Sequence, residues 1–375
     1  MEKPYQICTR CVMDTTDPDI VFDNNGICNH CTNAIERLKQ PPYGLPPPKK
    51  KEALNQLIAK IKTVGKDKKY DCLIGLSGGV DSSYVAYLVI KWGLRPLAVH
   101  LDNRWNSQEG EKNIENICKI LGIELYKNVL DWEEFKDLQL AFLKASTPDS
   151  EIPTDNIICE TLYRIANKYG IKYILSGVNI TSESIMPFMW SVGHNDKKYI
   201  KAIHKQFGRK KKLTIPILSI YKMYYYQKVK GIKWEATLNY VDYDKEKAKE
   251  ILKQNLKWQD YGRKHGESIY TRIFQEYILP EKFGYDKRRA HFSSLIVANQ
   301  LTREEALEKI QEPLYTNEAE LKNDIDFFCN KLGISQSEFG KIMTTPTKTI
   351  KDYPNTIYSW LFETRRSLRK FFKKG

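Results

Sequence analysis

Two groups of residues have types and spacings suited to chemistry. Cys8 and Cys11 form one C-x-x-C pair and Cys28 and Cys31 a second, with sixteen residues between the pairs. Each pair on a tight turn can aim two thiolates at one tetrahedral ion, and Asn24, Asn25 and Gly26 supply the turn before the second pair. Four thiolates leave no open coordination position. The pattern therefore reads as a structural Zn²⁺ knuckle with His30 as a bystander. The other group is Ser77-Gly78-Gly79-Val80-Asp81-Ser82, which follows the apolar run 71–76. Two glycines let the backbone approach an anion, and the N-terminus of a following helix aims N–H groups and partial positive charge at it. Ser77, Ser82 and Ser83 add hydroxyl donors. The chain contains no G-x-x-x-x-G-K-[ST], so this is not a Walker A loop.

Alternating helices and strands must position that loop. Residues 52–65 read as an amphipathic helix, 71–76 as a buried strand and 85–93 as a helix stopped by Gly93. A second strand covers 95–103, a helix 111–122 and a third strand 124–130. Asp131 and Glu134 predict a capping box for the helix 132–145. Residues 154–170 predict another helix and 171–179 a fourth strand, with 213–219 (LTIPILS) a candidate fifth. This alternation predicts an α/β fold with a doubly wound parallel sheet, which binds ligands at the carboxyl ends of its strands near a topological switch point. His100 and Asp102 close the second strand and Gly177 the fourth. Asp81 and Asp102 are the carboxylates best placed to position Mg²⁺ or phosphates.

The 375 residues imply two or three domains. Five of sixteen prolines lie in 40–51, which predicts an extended linker between a knuckle at 1–39 and the α/β domain at 52–232; a mainly helical region at 233–375 follows. Net charge is +14, which implies acidic partners without choosing among them. Residues 197–212 carry eight Lys/Arg and no acid, and read as a solvated loop. No apolar run is long enough for a membrane span and residues 1–11 lack the apolar core of a signal peptide, so the expected location is cytoplasmic. Cys72, Cys118, Cys159 and Cys329 are scattered and read as small buried residues.

SGGVDS between a strand and a helix resembles the phosphate loop of the PP-loop ATP pyrophosphatases, which implies the adenine-nucleotide α-hydrolase fold and cleavage of ATP between the α and β phosphates. The chain as a whole resembles the N-acetyl sugar amidotransferases of bacterial surface-polysaccharide and flagellin-glycan synthesis. The likeness rests on ICTRCVMDTTDPDI (7–20), GICNHC (26–31), LSGGVDSSY (76–84), HLDNRWNS (100–107), DWEEFKDLQLAFLKAS (131–146), EIPTDNII (151–158), YILSGVNITSESIMP (173–187) and residues 261–296. The family often has glycine where Arg104 and Arg263 stand. The resemblance implies that a sugar acetamido group becomes an acetamidino group, with ATP adenylating the amide oxygen and ammonia displacing AMP. It implies an anionic nucleotide sugar or nonulosonic acid, such as pseudaminic or legionaminic acid, as substrate. It also implies a glutaminase partner and a cyclase-like ammonia conduit similar to those of histidine biosynthesis, and it leaves room for a homodimer. Residue 2 is Glu rather than the cysteine of one glutaminase class, consistent with ammonia supplied from outside the chain.

Residues 260–268 and 279–291 are expected to fold over the carboxyl edge of the sheet. Lys264, His265, Glu267, Arg288 and Arg289 would then clamp phosphate or sugar carboxylate, the arginines bidentately, with Lys264 and Glu267 among the catalytic candidates. His265 or Glu267 could shuttle a proton. Arg104, Asp155 and Glu183 complete the expected substrate contacts. Leu361, Leu368 and Phe372 mark an apolar face on a basic C-terminal helix. The rival readings are a tRNA-modifying PP-loop enzyme and a non-catalytic ATP sensor. No recognisable RNA-binding module accompanies the first, and the phosphate loop is not degenerate as the second would require.

Overall fold

A computed structural model describes residues 4–262, 266–315 and 317–359. Lys264 and His265, Arg263, and the apolar positions 361, 368 and 372 lie outside the described residues. The centre is a five-stranded, all-parallel sheet: β1 (Cys72–Gly75), β2 (Pro96–Asp102), β3 (Glu124–Val129), β4 (Tyr173–Ser176) and β5 (Lys233–Ala236), in the order β3-β2-β1-β4-β5. The chain leaves β1 toward β2 and β3 and later returns to its other side as β4. The switch point therefore lies at the end of β1, where Leu76 N–H extends the ladder to Val99 O at 2.9 Å.

The helices are α1 (Asn29–Leu38), α2 (Pro47–Gly65), α3 (Val80–Lys91), α4 (Gln108–Leu121), α5 (Trp132–Ala145), α6 (Ile152–Lys168), α7 (Ile180–Glu183), α8 (Lys197–Phe207), α9 (Ile220–Tyr224), α10 (Lys245–Leu256), α11 (Ile269–Ile273), α12 (Lys287–Val297), α13 (Arg303–Gln311), α14 (Glu318–Leu332) and α15 (Gln336–Thr344). On one face of the sheet α2, α3, α4 and α10 share a core that includes Ile61, Ile74, Val89, Ile117 and Leu252. On the other face α6 and α9 pack through Leu162, Ile165, Met223 and Tyr226. Beyond the carboxyl edge, α5, α8, α11, α14 and α15 bury a third core around Trp105, Phe135, Phe142, Tyr270, Phe274, Phe328 and Phe339. Among the described residues no helix is long and apolar enough to cross a membrane.

The structure departs from the sequence reading in several places. The segment 213–219 is not a strand: Glu134 accepts hydrogen bonds from Thr214 N–H, Thr214 Oγ1–H and, at 2.7 Å, Ile215 N–H, while Leu218 N–H goes to Asn156 Oδ1 at 2.8 Å. Side chains thus take the groups a ladder would need, and the fifth strand is 233–236. The boundary expected at 232 therefore falls just before a strand of the same sheet. The same use of Glu134 explains why α5 has an Asp131 cap (Glu134 N–H to Oδ1, 2.8 Å) without the reciprocal half of a box. The proline linker ends early, because Pro47 and Pro48 start α2, where a fixed φ and a missing N–H carry no cost. The basic stretch 197–212 is a helix over 197–207, not a loop; it buries Tyr199, Ile200, Ile203 and His204 and turns its lysines outward. Arg104 has φ 64°, in the left-handed region, which gives a physical reason for glycine at that position in similar sequences.

Removing the Glu134 acceptor leaves buried donors unpaired. Glu134→Ala is expected to lower the unfolding free energy by about 3 kcal/mol, measured by urea titration. An unchanged midpoint would show that segment 213–219 is held by other contacts.

Candidate active site

The phosphate loop follows directly from local chemistry. Gly78 sits at φ 84°, and a Cβ there would lie 2.5 Å from Gly110 O, so glycine is required on two counts. Its carbonyl accepts from Trp258 Nε1–H at 2.8 Å, which ties the loop to the chain beyond the sheet. Gly79 caps α3 without a side chain, and the first N–H groups of a twelve-residue helix are left for an anion. Ser77 Oγ and Ser82 Oγ lie 3.1 Å apart, and Gly79 N–H donates to Ser77 Oγ at 3.3 Å. Ser83 is fully buried inside α3. Asp81 accepts a hydrogen bond from Tyr243 Oη–H. Burial and the Asp81 charge push the Tyr243 hydroxyl far above its ordinary range. At Gly177 a Cβ would lie 2.8 Å from the Asp81 carbonyl carbon and 3.0 Å from Ser82 N. This glycine lets β4 close on the start of α3, a packing role beside the nucleotide-contact role expected for it.

Residues 105–107 pair with 267–269 and roof the loop: Ser107 N–H donates to Glu267 O at 2.8 Å, and Ile269 N–H to Trp105 O at 3.0 Å. The described end of the expected stretch, residues 266–268, therefore lies over the carboxyl edge. A methyl built on Gly79 would lie 3.2 Å from both Glu267 Oε1 and Tyr261 Oη. Burial and the Glu267 carboxylate push Tyr261 well above its ordinary range.

A cavity of about 920 Å³ runs along the carboxyl edge from Ser77, while Gly78, Gly79, Asp81, Ser82 and Ser83 are not among its lining residues. On the β2 side it is lined by His100, Asn103 and Asn106. His100 Nδ1–H donates to Leu76 O at 2.9 Å, which leaves Nε2 to accept from Asn106 Nδ2–H at 3.0 Å. Burial lowers its pKa, so the ring is a fixed, neutral wall. Asp102 is not among the lining residues. It pairs with Lys127 at 2.8 Å and accepts Arg104 N–H at 2.9 Å. Burial would raise its pKa, but these partners hold it below the ordinary carboxylate range.

The far wall was only partly legible. Asp155 and Glu183, which were expected to contact substrate, line it together with Asp149, Glu151, Ser191, Thr271, Gln275 and Lys287, to which the sequence reading assigned no role. His194 stands 3.2 Å from both Asp149 and Asp155. Burial opposes its charging, yet the two carboxylates outweigh burial and raise its pKa to about 10. Burial likewise opposes ionisation of Asp149, while His194, Lys287 and Ser191 hold its carboxyl below the ordinary value. Glu151, two residues on, goes the other way. Burial raises its pKa and outweighs the opposing Lys287 charge, while Asp155 and Asp149 add to the rise.

The basic turn 287–289 splits three ways. Arg289 leaves the cavity for the knuckle, with Nε 3.0 Å from Asp14 and Nη1 donating to Val12 O at 2.9 Å. Arg288 reaches the cavity rim, but its donors go to Asp286 and to the carbonyls of Lys309, Ile310 and Glu312 at the end of α13. Neither arginine is arranged as the bidentate substrate clamp expected of it. Lys287 lines the cavity and, among the described residues, makes no hydrogen bond or ion pair. Arg104 is not among the lining residues.

The four cysteines are fully buried and their sulfurs all lie within 4.8 Å of one another. Cys8 and Cys31 sulfurs are 3.8 Å apart, and Cys11 and Cys28 sulfurs 3.7 Å. Backbone N–H groups of Cys28, Cys11 and Met13 point at Cys8 and Cys11 sulfurs, as thiolates require. The set fits one tetrahedral metal ion. His30 pairs instead with Asp17 at 2.5 Å. The knuckle docks on α12 and α13 through Arg289, Ser293 (Val12 N–H to Oγ, 3.2 Å) and Arg303, which donates to Cys8 O at 3.0 Å.

Two family models match the chain. Residues 68–185 match the thiamine biosynthesis protein (ThiI) model, and residues 267–366 match "LPS biosynthesis protein WbpG-like, C-terminal domain". The first covers the phosphate loop and the second the α11–α12 wall of one cavity. The fold and loop are those of a PP-loop ATP pyrophosphatase. Within that class, a PP-loop domain followed by a WbpG-like C-terminal domain supports the WbpG-type family. The two matches support an ATP-using PP-loop enzyme.

An uncharacterised protein of Methanocaldococcus jannaschii is 24% identical over 82% of this chain and 93% of its own length. A tRNA-specific 2-thiouridylase of Fusobacterium nucleatum is 27% identical over 49% of this chain and 58% of its own. A 7-cyano-7-deazaguanine synthase of Campylobacter jejuni is 42% identical over 72 residues, 19% of this chain and 31% of its own. The chain thus spans less than two thirds of these last two relatives. Among solved structures, the NMN synthetase of Francisella tularensis is 21% identical with a TM-score of 0.28, over 37% of this chain and 57% of that one.

His194 gives a signed pH prediction. Its pKa in the folded protein, about 10, lies above the ordinary 6.5. Its stabilisation is therefore complete below the ordinary value and is lost as pH rises toward the folded one. His194→Gln should be clearly less stable than wild type in urea near pH 6, and the gap should narrow by about pH 9.5. A gap that widens with pH would contradict the assignment.

Proposed function

We propose that this protein converts the acetamido group of an anionic sugar or nucleotide sugar to an acetamidino group, using ATP and ammonia. The observation that carries the proposal is one continuous cavity at the carboxyl edge. Ser77 of the uncapped, glycine-built anion loop lies at one end, and a wall of buried carboxylates, hydroxyls and Lys287, which makes no ion pair among the described residues, at the other. Its volume is within the range of small-molecule sites, about 300–1,000 Å³. The match of the second wall to a family described by LPS biosynthesis supports a sugar substrate.

In this reading the amide oxygen attacks the α phosphorus and pyrophosphate leaves. Ammonia then attacks the O-adenylated carbon and AMP departs. The N–H groups at the start of α3, with Ser77 and Ser82, hold the departing phosphates and stabilise their growing charge. His100 and Asn106 keep the β2 side rigid and neutral beside the nucleotide. Asp81 is the loop carboxylate that, with phosphate oxygens, would hold Mg²⁺, which supplies further charge for the leaving group. Lys287 offers an ammonium to a carboxylate or phosphate of the substrate. Zn²⁺ is the ion we assign to the knuckle, since Zn–S bonds of about 2.3 Å place tetrahedral sulfurs about 3.8 Å apart. Ammonia comes from a glutaminase partner through a cyclase-like conduit.

Similarity to a tRNA 2-thiouridylase raises a second reading, RNA modification. Burial pushes the Cys118 and Cys159 thiols up to about 11 and 12, the reverse of what a sulfur-transferring thiolate needs.

The test combines protein, ATP, Mg²⁺, ammonium and a panel of acetamido nucleotide sugars and nonulosonic acids, read by mass spectrometry. One sugar should exchange O for NH while AMP and pyrophosphate accumulate. AMP formed only on addition of bulk tRNA, with every sugar unchanged, would replace this reading with the second.

A further inference from the structure

Glu151 opens the 151–158 motif, yet nothing above gives it a task. It precedes α6 as the N-cap residue, but its side chain accepts no helix N–H. It turns instead to the cavity, where it is buried. Thr271 Oγ1–H donates to Oε1 at 2.5 Å and Gln275 Nε2–H to Oε2 at 3.0 Å. Both partners come from the segment that follows the roof over the phosphate loop, so the carboxyl is clamped in orientation. It has no paired cation among the described residues. Asp149, by contrast, is consumed: His194 is 3.2 Å away, Ser191 Oγ–H donates at 2.8 Å, and Glu151 N–H donates at 2.9 Å.

Two carboxylates two residues apart thus sit in opposed environments, one fixed as an anion by its ion pair and the other free to exchange a proton. That division is how a site separates a structural charge from a base. Asp155 and Lys287 are the remaining charges felt by Glu151.

We propose that Glu151 is the general base of the ammonia step. This rests on the amidine-forming reading above. When ammonia adds to the O-adenylated carbon, the new C–N bond leaves an –NH₃⁺ group. Glu151 takes one proton from it, and the C–O bond breaks with its electron pair leaving on AMP. The product is an amidinium, and the proton later passes to solvent.

The two half-reactions separate this role from a structural one. Sugar-dependent exchange of labelled pyrophosphate into ATP reports adenylation and needs no ammonia. Amidine formation needs both steps. In Glu151→Gln, which keeps the size of the side chain, amidine formation should fall 100-fold or more, while exchange falls less than tenfold. Glu151→Asp should recover part of the amidine rate. Equal losses in both assays would make Glu151 a structural or binding residue and overturn the proposal, as would full amidine formation by Glu151→Gln. Absence of sugar-dependent exchange in the wild-type protein would instead sink the amidotransferase reading, and the base assignment with it.

Discussion

The first turn of α12 is the constraint on which the rest depends. Successive residues on an α-helix point about 100° apart, so Lys287, Arg288 and Arg289 cannot share one target. Arg289 binds Asp14 and the Val12 carbonyl of the knuckle, Arg288 closes the end of α13, and Lys287 faces the cavity. One helix therefore serves as floor for the knuckle and wall for the site. The buried cysteine cluster shares its apolar core with Ala290 of that helix and with Ile185 and Trp190 beside the cavity. The knuckle, at the far end of the sequence, thereby sets the position of a cavity wall. Arg303, bonded to carbonyls of Cys8 and Cys11, repeats the coupling from α13.

The same economy holds at the phosphate loop. Trp258, from beyond the sheet, holds the Gly78 carbonyl, and Tyr261 and Glu267 lie over Gly79. Parts distant in sequence converge on one edge because a parallel sheet puts every strand end, and every following helix N-terminus, on the same side. The resulting chemistry is mostly positioning. A backbone cradle is shaped for an anion, a neutral imidazole fixed by Leu76 and Asn106 lines one side, and two carboxylates of opposed character line the other.

What could be read from the sequence was what is local. SGGVDS, the C-x-x-C pairs and the Asp131 cap of α5 each sit within a few residues, and their chemistry follows from type and spacing. What escaped was assembled at long range. His194 has no local sign that Asp149 and Asp155 will meet it, and Glu151 gains meaning only beside Thr271 and Gln275. LTIPILS has the composition of a strand, but Glu134 and Asn156 take its backbone donors first. The arginines at 288 and 289 were read as a charge cluster, and helix geometry dispersed them. Arg104 was read as a substrate contact, whereas its φ of 64° makes the position a backbone constraint that the chain bears with a side chain in place.

The central claim is that the sugar's own amide oxygen attacks the α phosphorus. The most direct measurement carries a heavy-oxygen label in the acetamido carbonyl and follows it by mass spectrometry after turnover with ATP and ammonium. The label should appear in AMP, one atom per acetamidino group formed, with pyrophosphate unlabelled. Amidine formation with unlabelled AMP would contradict activation by adenylation at this site.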